Sequence, residues 1–145
     1  MAIIDLNTGI GSPVGDGFDN IVIVDNFKSK RGGASLDTTG FAKPWIRAGH
    51  VIIKQTSNGE LKPMPLNEDG DAYATLPAGH TYYGILINTV DAAKAYNAGI
   101  MFEGTVNPKV INPAAGYYDI TPILGAVQTA FRGIDNNIKF IGDND

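Results

Sequence analysis

The chain has 145 residues, no cysteine and a formal charge of -4, with a pI near 5.0. That length fits one domain of common size, and 43% hydrophobic residues is enough to build a core. The charge argues against a surface built to grip nucleic-acid phosphates, and the missing cysteines exclude disulfides, thiolate metal sites and a Cys nucleophile.

The start, MAIIDLNTG, has no basic segment and too short an apolar run for a signal peptide. No stretch approaches ~20 apolar residues, so no membrane span is expected and the chain reads as made in the cytosol. Eighteen glycines and eight prolines point to many turns and short strands rather than long helices. Residues 1–19, with NTGIGSPVGDGFDN, lack any apolar period and read as an extended arm. Residues 20–145 then read as a single β-rich domain.

Asn20 to Phe27 is a β-branched run that predicts a strand, followed by a loop with breakers Gly32 and Gly33. Leu36 to Phe41 is a second short strand candidate ending at Gly40, and Pro44 forces Lys43 out of helix. Val51 to Gln55 is a strand. Asn58-Gly59 suits a type I′ hairpin, and ELKPMPL returns as an edge strand because Pro63 and Pro65 cannot donate ladder bonds. Asn67 to Thr81 is loop. Tyr82 to Val90 is an apolar strand in which Gly84 marks a bulge or a close backbone contact. Asp91 to Gly99 is either one helical turn capped by Asp91 or a long loop, and Ile100 to Val106 is a strand ended by Asn107-Pro108.

The principal helix spans about 121–132. Thr121 is a good N-cap, Pro122 has the φ of a first helical residue, and Gly133 is a natural C′ residue. Ile123, Leu124, Val127 and Phe131 share one face, which would plug a sheet or barrel. Ile138 to Ile141 is a last short strand. The tripeptide Ala-Gly-His occurs at 48–50 and 78–80, each time before a strand, and reads as recurrent turn chemistry.

Chemistry is sparse. Gly9, Gly11 and Gly15 have the wrong spacing for a dinucleotide loop, and Pro13 and Gly17 prevent the helix it needs. His50 and His80 are the only histidines, no G-x-S-x-G elbow accompanies them, and each is expected to bond backbone at a strand start. Asn67, Asp69 and Asp71 fit three calcium-loop positions, but Ala72 and Ala78 stand where Gly and Glu belong. Glu103, in an apolar strand, reads as an outward-facing residue or one arm of an ion pair. The sequence implies no cofactor and no metal. Trp45, Tyr82, Tyr83, Tyr117 and Tyr118 offer rings for stacking, which keeps a virion-associated carbohydrate-binding module as the alternative function.

The stretches AGHVIIKQTSNGELKPMPL, TYYGILINTVDA and AGIMFEGTVNPKVINP, then a short helix and GIDNNIKFI, are similar to the head-decoration and head-fibre proteins of tailed bacteriophages. The matching residues include Gly59, Lys62 and Pro63; Gly84, Val90 and Asp91; Gly104, Val106 and Asn107; and Gly133, Ile134 and Phe140. The likeness covers about residues 45 to 141 and rests on the order of diffuse motifs. It implies a small β-barrel-like domain, commonly a homotrimer, on the outside of the assembled capsid of the virion. The major capsid protein would be the partner, with no enzymatic activity and with the role of a capsid-bound head-fibre base. The N-terminal arm often reaches the capsid in this family. That makes Ile3, Ile4, Ile10, Val14 and Phe18 capsid-contact candidates, and Trp45, Tyr82, Tyr117 and Tyr118 candidates for contacts between subunits.

Overall fold

The computed structural model describes residues 19–30, 33–94, 97–133 and 136–141. A single helical turn, α1 (Asp19–Val22), leads into β1 (Ile23–Ser29). There follow β2 (Trp45–Ile46), β3 (Val51–Gln55), β4 (Leu61–Pro63), β5 (His80–Leu86), β6 (Val90–Asp91) and β7 (Ile100–Val106). The chain closes with α2 (Leu124–Ala130) and β8 (Asn137–Phe140). The fold is mainly β, as the sequence predicts.

The main sheet has the order β1-β7-β5-β3-β4, and β2 pairs with β6 in a separate ribbon. β1 runs antiparallel along one edge of β7. The other edge of β7 is shared: β5 takes Ile100 and Met101, and β8 takes Glu103 to Val106 in parallel. The sheet is open, so the expected barrel does not close. At its β4 end two groups are unavailable for further pairing: Pro63 lacks an N–H, and the Leu61 carbonyl already accepts from Asp37 N at 2.8 Å.

The uninterrupted run Val51-Ile52-Ile53 follows from a sheet covered on both faces. Val51 and Ile53 join one core cluster with Ile85, Met101, Val127 and Phe131, while Ile52 joins a second with Ile46, Leu86 and Ile100. Each of these ten side chains is at most 1% exposed. The segment from Tyr117 through α2 supplies the cover of the first face, and residues 34–46 with the ribbon contribute to the second.

β3 and β7 lie where the sequence places them, and the departures elsewhere have local causes. Asp19 to Val22 wind into a turn instead of starting the strand, because this buries Val22 to 5% and lets its carbonyl accept Asn107 N at 2.8 Å. Leu36 to Phe41 is not a strand. Asp37 accepts from the Thr39 N–H (3.1 Å) and hydroxyl (2.7 Å), which turns the chain into Gly40 at φ 82°. The β3–β4 connection is a four-residue loop closed by Gly59 N to Gln55 O at 2.8 Å. Gly59 alone has positive φ there, so the type I′ turn, which needs it at Asn58 as well, is absent.

The expected strand 82–90 divides into β5 and β6, since Ile87 N turns to Gly99 O at 2.9 Å and the chain leaves for the ribbon. Gly84 sits at the predicted bulge: Ile52 faces Gly84 but Ile53 faces Tyr82, leaving Tyr83 as the extra residue. The 91–99 segment does hold one short turn, a 3-10 turn at Ala92–Lys94, with Asp91 Oδ1 accepting Ala93 N at 2.8 Å.

The C-terminal helix is shorter than predicted. Thr121–Ile123 form a 3-10 turn, and Thr121 is not the cap; Asp119 Oδ1 accepts its N–H at 2.9 Å. Ile123, Val127 and Phe131 are buried, but Leu124 is only half-buried. Gly133 is not left-handed; its N–H goes to Asn136 O at 2.9 Å and so steers the chain toward β8.

Candidate functional site

Among the described residues the large apolar side chains left exposed are Ile21 (48%), Val24 (45%), Phe27 (72%) and Ile111 (47%). Three of these lie on α1 and β1. β1 ends the strand order, and residues 24 to 28 are all exposed, beyond the covers that bury β3 on both faces. Its ladder to β7 is irregular at three points, between Ile23 and Asp25, Asn26 and Lys28, and Lys28 and Ser29. Such shifts twist an end strand, and Asp25 and Lys28 place charges on it, which are both known restraints on indiscriminate edge pairing. Burying a Phe side chain is worth about 1.5–3 kcal/mol, so leaving Phe27 outside forgoes stability that a partner can recover. Sequence reading assigned a strand near here but missed Val24 and Phe27 as surface, because nothing in the run itself says that it ends a sheet.

Ile3, Ile4, Ile10, Val14 and Phe18 lie outside the described residues, in the stretch that leads into α1. Of the aromatic candidates, Tyr117 and Tyr118 belong to the core at 3% and 5% exposure, so neither presents a ring to a neighbouring subunit or a sugar. The Arg47 guanidinium lies over the Tyr117 ring at 5.6 Å, and Arg47 Nε donates to Ala115 O at 2.8 Å. Trp45 and Tyr82 are half-buried. Tyr82 meets Phe131 edge-on at 6.4 Å, and the bulge sends Tyr83 to Phe102 at 5.2 Å. Glu103 faces outward and is exposed.

Both histidines bond backbone at strand starts, as expected. His80 Nδ1 pairs with Ala78 O at 3.0 Å and His50 Nε2 with Met64 O at 2.9 Å. The glycine before each is left-handed, at φ 75° and 90°, so the repeated Ala-Gly-His is indeed one turn used twice. His50 is 2% exposed, and Phe41, Tyr73 and Tyr118 surround it edge-on with centroids at 5.0 to 5.8 Å. Its Nε2 carries the proton given to Met64 O, and Nδ1 has no protein partner. Burial pushes its pKa down to about 4, against the backbone bond, which favours the charged form. A small cavity of about 30 Å³ adjoins it, lined also by Tyr73 and Tyr118. The Tyr73 hydroxyl accepts from Val51 N at 3.2 Å, and burial raises its pKa.

A larger groove, about 590 Å³, lies beside β4 and is lined by Asp37, residues 39–43 and 65–70 together with Ile53, Lys62, Pro63, Pro77 and His80. The loop once compared with a calcium site forms part of this lining. Asn67 holds the loop to itself, with Nδ2 donating to Asp71 Oδ1 at 2.8 Å and Oδ1 accepting Asp71 N at 3.1 Å. Among the described residues no three His, Asp or Glu side chains converge to hold a metal.

No protein-family model, curated protein or solved structure matches this chain.

Proposed function

We propose that this chain is a bacteriophage capsid decoration protein, the base of a head fibre, that binds the outside of the assembled shell as a homotrimer and stabilises it. The observation that carries this reading is β1, which ends the sheet among the described residues, has Val24 and Phe27 exposed, and follows the N-terminal stretch through α1. The resemblance of residues 45 to 141 to head-decoration proteins supports it. An end strand offers a row of backbone donors and acceptors to an extended segment of another protein, and apolar side chains on it add area and specificity. Three copies around one symmetric position multiply a weak contact by avidity. A ligand that binds only the assembled shell favours that shell by linkage.

Co-sedimentation with undecorated capsids tests this. Wild type is expected to pellet with them. Phe27→Asp and deletion of residues 1–18 are each expected to lose that binding while keeping a wild-type unfolding midpoint. The deletion stops before α1 because Val22 belongs to the core. A wild-type protein that stays in the supernatant at every capsid concentration overturns the reading. Full occupancy by both altered forms removes β1 and the arm as the contact.

A further inference from the structure

We propose that the groove beside β4 is a binding site for a neutral saccharide, a function separate from capsid attachment, at a site lined by none of the rings that the sequence singled out. At about 590 Å³ it has the size of a small-ligand site. Its lining combines two kinds of surface. Phe41, Pro65 and Pro77 give apolar patches suited to the C–H faces of a pyranose. The lining also holds acceptors, Asp37, Glu68 and Asp69, and donors, Lys43 and Lys62.

The charges select the ligand class. A phosphate or carboxylate would meet three carboxylates. A cation would meet two lysines, and among the described residues the three acids do not cluster closely enough to hold a metal ion. A wholly apolar ligand would strip water from five charged groups without replacing their hydrogen bonds. A hydroxyl suits both signs, because it donates to a carboxylate and accepts from an ammonium. The Asp37–Lys62 pair offers both at once: the ions are 3.5 Å apart and their side chains keep 23% and 32% exposure, so a sugar hydroxyl can bridge them.

The frame is built in advance. Asp37 is fixed by both hydrogen bonds from Thr39. Gly70, at φ 71°, has the Lys43 ammonium above it: a Cβ there would lie 3.3 Å from Nζ, so the two loops meet. A side chain at that position would make the Lys43 end shift by a few tenths of an ångström.

The test is a titration of isotope-labelled protein with glucose, galactose, N-acetylglucosamine and maltose, followed by amide chemical shifts. Inorganic phosphate and glycylglycine serve as ionic controls. Saturable shifts at residues 39–43 and 62–70 with at least one sugar are expected. Asp69→Ala, on an exposed loop, and Phe41→Ala should each weaken binding about tenfold, the effect of losing one charged hydrogen bond or one apolar wall. Trp45→Ala should leave it unchanged. No saturable shift with any sugar, shifts centred on Trp45 or Tyr83, or a response to phosphate or glycylglycine alone would each overturn the proposal.

Discussion

Acid should loosen this protein through one buried side chain, His50. The ring is sealed among Phe41, Tyr73 and Tyr118, and its pKa falls from 6.5 to about 4 because a charge there would lose its water. In the unfolded chain the same ring titrates near 6.5. Between these two values the unfolded state binds the proton and the folded state does not, so stability falls as pH falls. The contribution is complete above pH 6.5 and is lost down to about pH 4, amounting to roughly 3 kcal/mol in all, most of it lost by about pH 4.5. Against a typical total stability of ~5–15 kcal/mol that loss is large. Asp37 is held below its usual range by the hydrogen bonds from Thr39, so it titrates beneath this window, and burial moves Tyr73 and Tyr118 upward, away from it. Urea unfolding at several pH values, for wild type and His50→Gln, isolates the effect. Glutamine can still donate to Met64 O but cannot take up the proton. The variant should be weaker at neutral pH yet flat across the window. Equal pH slopes for the two proteins would refute the reasoning.

Other outcomes follow from the packing. Phe131→Ala, at a fully buried site, should cost about 3–5 kcal/mol, and Leu124→Asp less, because Leu124 is only half-buried; thermal or urea unfolding of both ranks them. Gly84→Ala should destabilise by about 1–3 kcal/mol, since a Cβ there would lie 2.5 Å from Ile100 Cγ2 and 2.6 Å from Met101 O. Faster amide exchange in β5 and β7 would show that the damage is local to that crossing.

Much of the sheet was legible in the residues. The run Val51 to Gln55 and the stretch Ile100 to Val106 are short, apolar and bounded by turn residues, and such signals are contained within the segment that carries them. The bulge at Gly84 and the two Ala-Gly-His turns were legible for the same reason: a glycine marks a place where the backbone approaches closely or turns left-handed. Turn type was harder. Asn58-Gly59 fits a two-residue hairpin, and only the pairing of Gln55 with Glu60 decided on a longer loop.

The candidate sites were mostly not legible. Tyr117 and Tyr118 look like surface platforms beside Tyr82 and Tyr83, but they are buried, because the segment they sit on folds beneath Arg47 and His50. The groove joins residues 37–43 to residues 65–70, and no pattern in either loop announces the other. Sequence alone therefore determined a mainly β chain with its central strands, its two Ala-Gly-His turns and a C-terminal helix, since hydrophobic period and backbone preference act between near neighbours. The tertiary structure alone decided that β1 ends the sheet with Phe27 outside, that Asp37 N bonds the Leu61 carbonyl at the β4 end and that the sheet stays open. Cover and exposure depend on which distant segments come to lie against a strand, and a residue carries no record of that in its immediate neighbours.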